Sequence, residues 1–322
     1  MTSFRRVSYA LATTLMIVSA AGTFAQQAAD KVFVSILKGP SGIGSAWMMA
    51  APPSSPGVDL QFVTAASADL VTAKLVSGEI QGGVLPVNVA AKLFNAGVPI
   101  RAIAVVGNGM VKFLSNDSSI RRFSDLKGKE IYIAGQKATP DYLFRFLAEK
   151  ENMKAGKDFT PLYNLASPEV AAQLAAGKVS CAVLPEPFAT QALLLNGNIV
   201  SPLNLDALWT ERTGLESYPM SLFVLSRRFI ESRPELVRVI AEAYKASIEK
   251  TLADPAATGQ LVETLGLGMK AAIAEAAIPK SAYVYIDASE ARASIETLLS
   301  LFLVSDPLSV GGKLPTADFY SR

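Results

Sequence analysis

The amino-acid sequence predicts an α/β protein of two lobes, each a doubly wound, mostly parallel sheet with helices on both faces. Three observations support this prediction. Short apolar runs alternate with helix-like segments, a pattern typical of parallel sheets covered by helices. One segment of the chain, residues 73–90, occurs again at residues 172–189. The stretch from about residue 222 onwards has a mainly helical pattern.

The predicted elements of the two lobes follow the same alternation. Apolar runs bounded by turn residues indicate strands, and longer amphipathic runs indicate helices. In the first lobe the strands are 32–37, 59–64, 80–85 and 100–106, and the helices are 42–50, 67–76 and 88–95. In the second lobe the strands are 130–134, 160–163 and 179–184, and the helices are 140–150, 167–176 and 187–196.

The internal repeat supports the division into two lobes. The first copy reads AKLVSGEIQGGVLPVNVA and the second reads AQLAAGKVSCAVLPEPFA, with seven identical positions and no gap. Each copy predicts a helix, a C-capping glycine (Gly78 or Gly177), a short buried strand, a Leu-Pro corner and a second helix. The copies lie too far apart for a solenoid repeat, so they indicate two similar units.

The C-terminal part of the chain is predicted to return to the first lobe. Pro234 and Pro255 occupy first-turn positions of two predicted helices. The chain would then cross between the lobes twice, near 107–112 and near 217–222. The predicted domains are a signal peptide at 1–25, a first lobe of 26–107 plus 222–322, and a second lobe of 108–221.

The N-terminus has the features of an export signal. Arg5 and Arg6 precede a short apolar stretch, and small residues before and at Ala25 predict cleavage after that residue. The stretch is too short for a membrane-spanning helix. The paired arginines leave twin-arginine export open beside ordinary secretion. No cysteine lies near the cleavage point, so we expect a periplasmic protein without a lipid anchor.

Composition excludes several classes of function. Without Arg5 and Arg6 the chain has 28 basic and 28 acidic residues and no basic run, which argues against a nucleic-acid partner. The chain has no histidine, the usual general base and a frequent zinc ligand. We therefore expect no catalytic residues, no metal and no cofactor. The single cysteine, Cys181, lies in a predicted strand and is interpreted as a core residue.

The segment KGPSGIG, residues 38–44, follows the first predicted strand. Gly39 and Gly44 have the spacing of a phosphate-binding loop, but Ser45 stands where its lysine is needed. The dinucleotide pattern also fails, because Trp47 replaces the third small residue. What remains is a turn at the end of a strand, whose amides face either solvent or a polar ligand.

Ligands of such sheets bind at the carboxyl ends of strands, beside helix N-termini. The candidate ligand contacts at those ends and at the crossings are Pro40, Ser41, Gly42, Ile43, Ser67, Asn88, Asn108, Gly109, Gln136, Thr139, Glu186 and Tyr218. Ser67, Asn88 and Thr139 are alternatively plain helix caps. Tyr218 is predicted as an aromatic wall of the cleft.

The type of ligand is indicated by the charges of these loops. None of them contains the arginine expected for a tightly held dianion. Glu186 and the amide side chains suit a ligand with several donors and acceptors. We therefore expect a small polar ligand, a neutral or mixed heterocycle in preference to sulfonate or nitrate.

Several segments also resemble a known family. They are GEIQGGVLPVNVAA (78–91), DLKGK (125–129) and GGKLP (311–315). In their order along the chain they resemble the substrate-binding proteins of ABC importers in the NMT1/THI5-like group, which includes binders of sulfonate, taurine, nitrate and thiamin precursors.

The resemblance implies a type II bilobed periplasmic-binding fold with a hinge of two crossings. It further implies a monomer that captures a small molecule between its lobes, catalyses no reaction and delivers the ligand to an ABC permease in the inner membrane. Two alternatives stay open. One is an enzyme on the same fold, a lyase or dehydratase of the menaquinone-pathway type, and the other is a ligand-sensing subunit of a membrane receptor.

Overall fold

The computed structural model describes residues 29–320, and the predicted signal peptide lies outside them. The strands are β1 (Asp30–Leu37), β2 (Val58–Ala65), β3 (Gly82–Pro86), β4 (Ile100–Asn108), β5 (Val111–Ser115), β6 (Glu130–Ile133), β7 (Thr160–Leu162), β8 (Cys181–Pro185), β9 (Pro219–Ser226) and β10 (Ile286–Asp287). The helices are α1 (Pro40–Ile43), α2 (Ala46–Ala50), α3 (Ala68–Ser77), α4 (Val87–Asn95), α5 (Thr139–Lys150), α6 (Ser167–Ala175), α7 (Phe188–Leu195), α8 (Leu205–Thr213), α9 (Arg227–Ser232), α10 (Pro234–Ala253), α11 (Pro255–Thr264), α12 (Ala271–Ala277) and α13 (Arg292–Ser305). Between residues 29 and 320, no helix is long and apolar enough to cross a membrane.

The first lobe is built on a six-stranded sheet with the order β10-β4-β9-β3-β1-β2. Strand β1 pairs in parallel with β2 and β3, as the alternating pattern predicted. Strand β9 is antiparallel and lies between β3 and β4. The segment 217–222 was predicted only as a crossing, and most of it forms the start of this central strand.

The second lobe is built on a four-stranded sheet with the order β5-β8-β6-β7. Strand β6 pairs in parallel with β7 and β8, and β5 pairs with β8 in the antiparallel direction. The segment 107–112 was also predicted as a crossing. The structure shows that it contains the end of β4, the passage between lobes and the start of β5. The protein is therefore a bilobed α/β protein with a sheet in each lobe.

The two copies of the internal repeat occupy equivalent places in the two sheets. The first copy forms α3, β3 and the start of α4, and the second forms α6, β8 and the start of α7. Gly78 and Gly177 both adopt positive φ angles, 75° and 72°, at the ends of their helices. Strands β3 and β8 each have a parallel neighbour on one side and an antiparallel neighbour on the other. The repeat therefore reflects two similar units.

Most of the C-terminal helices pack against the first lobe, and α12 packs against α7 of the second lobe. Helices α10 and α11 pack against α2, while α13 packs against both α4 and α5. Helix α13 therefore contacts both lobes. At its contact with α5, the ring centroids of Tyr142 and Phe302 lie 4.4 Å apart, and Lys137 Nζ lies 3.0 Å from Asp306 Oδ2. One apolar cluster, with members such as Leu85, Phe113, Tyr142 and Phe302, runs through both lobes.

Candidate functional site

Two backbone hydrogen bonds anchor the start of the loop after β1. Lys38 N donates to Ala65 O at the end of β2, and Gly39 N donates to Leu267 O at 2.8 Å. Gly39 has a φ of 89°, a conformation that glycine adopts without strain. Pro40 then occupies the first position of α1. These contacts hold the loop at the carboxyl edge of the first sheet.

Two further glycines let this loop pack closely against its neighbours. A Cβ atom at Gly42 would lie 2.5 Å from Leu37 O, and one at Gly44 would lie 3.2 Å from an Ile248 side-chain carbon. The chain turns here, and the Ser45 hydroxyl donates to Gly42 O at 2.8 Å. The predicted helix 42–50 is therefore wrong in one respect, because the segment forms two short helices, α1 and α2, instead of one.

The Ser41 side chain contacts β9, a central strand of the first sheet. Its hydroxyl oxygen lies 2.9 Å from the hydroxyl oxygen of Ser221 in β9. Ser221 pairs with Pro86 at the end of β3 and with Gly107 near the end of β4. Three segments of the first lobe therefore converge at this point. Ser221 was not among the predicted site residues, because it only becomes part of the edge when β9 enters the sheet.

Tyr283 links the first loop to the second lobe. Its hydroxyl donates to Pro40 O at 3.1 Å, and its ring is buried. Burial raises the pKa of this phenol, and the negative charge of Glu186 adds to the increase. The neighbouring Ala282 accepts a backbone hydrogen bond from Asn108 N at 2.9 Å. Tyr283 therefore lies where the two lobes approach each other, although no local pattern in the sequence marked it.

Glu186 follows β8 directly and is 1% exposed. Its backbone N donates to Met110 O at 2.7 Å, and its carboxylate accepts a hydrogen bond from Thr190 N at 2.9 Å. Burial raises the pKa of this carboxyl group, while the ammonium groups of Lys112 and Lys280 act in the opposite direction.

Glu186 also lines a cavity of about 610 Å³ beside β5. Its ionisable lining consists of Lys112, Glu186, Asp206, Glu216 and Lys280. Lys112 Nζ lies 2.6 Å from Asp206 Oδ2, so this pair is a direct salt bridge. Lys280 comes from the segment after α12 and the other four come from the second lobe or the passage that follows it. The cavity therefore lies at the boundary between lobes.

Two asparagines near this boundary have amide oxygens without a partner. Asn88 is 6% exposed, and its amide nitrogen lies 3.5 Å from Lys137 O of the second lobe. The Oδ1 atoms of Asn88 and Asn108 are buried, and within residues 29–320 neither has a hydrogen-bond partner. Asn88 is not the cap of α4, because that helix is capped at Pro86. The alternative interpretation of Asn88 as a plain cap is therefore wrong.

The loop between β6 and α5 is shaped by Asp141, which the sequence interpretation missed. Asp141 is 1% exposed and accepts hydrogen bonds from Lys137 N at 2.9 Å, Arg145 Nε at 2.8 Å and Tyr163 OH at 2.8 Å. Lys137 has a φ of 59°. Gln136 is exposed, and Thr139 is buried as the first residue of α5. The predicted capping role of Thr139 is wrong, because the N-cap position belongs to Ala138.

The other predicted contacts have structural roles. Ser67 is exposed and caps α3, as predicted, by accepting a hydrogen bond from Leu70 N. Ile43 is fully buried in the core. Gly109 N donates to Tyr218 O at 3.0 Å, so the two passages between lobes are hydrogen-bonded to each other.

Tyr218 is fully buried and presents no face to a cleft. Its hydroxyl donates to Asp206 Oδ1 at 3.1 Å and accepts from Val111 N at 3.2 Å. Its ring packs edge-on against Trp209. The expected aromatic wall at this position is therefore a packing residue between the passages, and burial raises its pKa well above the ordinary value.

The structure thus joins Ser41, Asn108, Ser221 and Tyr283 through neighbouring hydrogen bonds, and it places Asn88 and Glu186 elsewhere along the same boundary between the lobes. In residues 29–320, no group of three or more His, Cys, Asp or Glu residues is arranged to hold a metal ion. Cys181 is buried and unpaired, as expected of a core residue.

The family of the chain follows from sequence comparison. A profile of the NMT1-like family matches residues 8–266. The chain belongs to the NMT1-like family. This confirms the resemblance seen in its motifs. No protein of curated function matches the chain in sequence.

Solved structures show the same fold. An ABC transporter protein from Parabacteroides distasonis is 27% identical with a TM-score of 0.78, and the match covers 90% of this chain and 98% of that one. The periplasmic aliphatic sulphonate-binding protein SsuA from Escherichia coli is 14% identical with a TM-score of 0.67, covering 89% and 92%. The periplasmic nitrate-binding protein NrtA from Synechocystis PCC 6803 is 11% identical with a TM-score of 0.60, covering 88% and 84%. The NMT1-like protein therefore has the bilobed fold found in the solute-binding components of ABC importers.

Proposed function

We propose that this NMT1-like protein is the periplasmic solute-binding component of an ABC importer and captures a small polar ligand between its two lobes. The observation that carries the proposal is the convergence of buried and half-buried polar side chains from both lobes at their boundary. Ser41 and Asn88 come from the first lobe, and Glu186 comes from the second. Convergence of this kind beside strand ends is typical of ligand sites in α/β folds.

The proposed site contains more residues than its deeply buried core. We propose ligand contacts from Ser41, Asn88, Asn108, Glu186, Ser221 and Tyr283, with backbone groups of Pro40 and Gly42 beside them. Gln136 and Thr139 would approach from the loop that Asp141 shapes. Ile43, Ser67, Gly109 and Tyr218 support the fold around the site.

The proposed hinge consists of the two passages between the lobes. One runs from the end of β4 into β5, and the other leads into β9. We propose lobes of residues 26–107 plus 222–322 and of residues 108–221, apart from Asn108 and residues 219–221, which belong to β4 and β9 of the first sheet. Two adjacent passages allow one lobe to rotate toward the other around a bound ligand.

We also propose that the protein is exported and that its partner is a permease. A signal peptide at 1–25 without a lipid anchor would release a monomer into the periplasm, where it would meet the permease. The balanced charge of the mature chain gives no attraction to nucleic acid. The enzyme alternative is disfavoured because the chain has no histidine, and the proposal assigns the protein no reaction.

The proposal is tested by combining ligand binding with small-angle scattering. A thermal-shift screen of sulfonates, nitrate, pyrimidines, flavins and amines should identify a stabilising ligand, because a ligand that binds the folded state raises its stability by mass action. At saturation the radius of gyration should decrease. A saturating ligand that leaves the radius of gyration unchanged, or one that is converted to product, contradicts the proposal.

A further inference from the structure

The acceptor groups at the lobe boundary indicate what kind of ligand group the site recognises. The buried Oδ1 atoms of Asn88 and Asn108 have no partner within residues 29–320. A buried acceptor without a donor costs about 1–3 kcal/mol. A ligand that donates hydrogen bonds to these oxygens would remove that cost.

The orientation of the Asn88 amide is set by the second lobe. Its nitrogen faces Lys137 O at 3.5 Å. Exchanging the nitrogen and oxygen would place two oxygens opposite each other, so the amide oxygen points away from that carbonyl. The unpartnered atom of Asn88 is therefore an acceptor and not a donor.

The charged side chains at the boundary also favour a ligand that donates hydrogen bonds. The cavity beside Glu186 is lined by three carboxylates and two ammonium groups, and Lys112 is already paired with Asp206 at 2.6 Å. Lys137 is paired with Asp306 at 3.0 Å. Lys280 is exposed to solvent. Of the five ionisable residues that line the cavity, only Glu186 is buried.

No arginine serves this region. The cavity lining contains none. The segments at the strand ends, 38–44, 65–69, 85–88, 135–140 and 184–187, contain none either. Arg145, on the adjacent helix α5, is held by Asp141 at 2.8 Å. A sulfonate or a nitrate is held best by planar, bidentate guanidinium groups or by several free donors.

We propose that the cleft selects a ligand with an amine or other N–H donor group and discriminates against sulfonate and nitrate. This inference rests on the proposed solute-binding function and names its ligand class. Asn88, Asn108 and Glu186 are the residues that set the specificity. Two of the structural relatives are named for binding sulphonate and nitrate. This chain would use the same fold to bind a ligand that donates hydrogen bonds instead of an anion.

Matched probes test the inference directly. Calorimetric titrations at about pH 8 would compare butylammonium with butanesulfonate, which share an alkyl chain, and 4-aminopyrimidine with pyrimidine. The donor-bearing member of each pair should bind at least about tenfold more tightly, which corresponds to roughly 1.4 kcal/mol. Nitrate should give no saturable heat.

Two variants show whether the site binds a ligand that donates hydrogen bonds or an oxyanion. Glu186→Gln should weaken binding of the donor probes by about tenfold or more, whereas Asn88→Asp should keep or strengthen it. An oxyanion ligand would show both effects reversed. Glu249→Gln, an exposed carboxylate on α10, is the control and should change nothing. If Asn88→Asp fails to fold, Asn108→Asp supplies the same comparison.

The outcomes separate this inference from the proposed function. Tighter binding of butanesulfonate or nitrate, with a decrease in the radius of gyration, overturns donor selectivity and leaves the receptor function intact. Absence of binding by both donor probes at about 10 mM also overturns it. Saturable donor binding without any decrease in the radius of gyration supports donor selectivity and contradicts the proposed closure.

Discussion

Replacing Gly42 by alanine should disturb the first loop of the site through a single clash. The added Cβ would lie 2.5 Å from Leu37 O, about 0.9 Å inside the 3.4 Å at which ordinary contact begins. The obstacle is a backbone atom of β1, so no side-chain rotation relieves it. Overpacking of this kind costs about 1–3 kcal/mol. At roughly 2–4 °C per kcal/mol for proteins of comparable size, the melting temperature should fall by about 2–12 °C.

The same clash should reach the ligand site. A shift of Gly42 moves Ser41, whose hydroxyl lies 2.9 Å from that of Ser221, so binding of a stabilising ligand should also weaken. The assay is thermal unfolding by circular dichroism together with calorimetric titration. Gly197→Ala is the matched control, because no atom lies within 4 Å of the added carbon and the φ angle is not positive. If Gly42→Ala is as stable and binds as well as Gly197→Ala, the close packing of this loop is refuted.

Three further perturbations address the surroundings of the site. Asp141→Asn should lower the free energy of unfolding by about 1–3 kcal/mol, because Lys137 N and Tyr163 OH lose a charged acceptor; urea unfolding measures it, and an unchanged midpoint contradicts it. Since burial raises the pKa of Glu186 above 4.5 in the folded state, its contribution to stability is greatest below that pH and declines as the pH rises through the folded pKa. Glu186→Gln should remove this decline, so the melting temperature of the variant should rise relative to that of the parent as the pH increases above 4.5. A difference in melting temperature that does not change with pH would contradict this. Asp306→Asn removes the ion pair with Lys137, which lowers the pKa of Asp306, so this contribution is present above pH 3.8 and is lost as the pH falls through the folded pKa. At neutral pH the unliganded variant should show a larger radius of gyration, and an identical scattering curve would show that this pair does not hold the lobes together.

Local sequence patterns identified most strands and helices of the fold. The parallel strands β1, β2 and β3 are apolar runs followed by turn residues, and such runs can be recognised from the local sequence alone. Strand β9 is equally apolar, but its place between β3 and β4 depends on residues more than a hundred positions away. No local period encodes that distance, and so this segment was interpreted as a crossing.

The site was predictable to the extent that strand ends are predictable. Ser41, Asn88 and Glu186 belong to the proposed site because each follows an apolar strand. Ser221 and Tyr283 join the proposed site only in three dimensions, through the return of the C-terminal chain, so no local pattern points to them. The sequence predicts Tyr218 as a wall of the cleft. Aromatic side chains occur both in protein cores and in the walls of ligand sites, so the sequence alone does not distinguish these roles. Only its packing against Trp209 and its bond to Asp206 decide between these roles.

The central position of β9 also governs the order in which the chain can fold. All strands of the second sheet lie between residues 111 and 185, so that sheet can be completed as soon as this stretch is synthesised. The facing edges of β3 and β4 have no neighbour until β9 arrives, although both were made earlier. Pairing across such a sequence distance is slow. The first sheet is therefore completed last, although its first strands are the first to emerge from the ribosome.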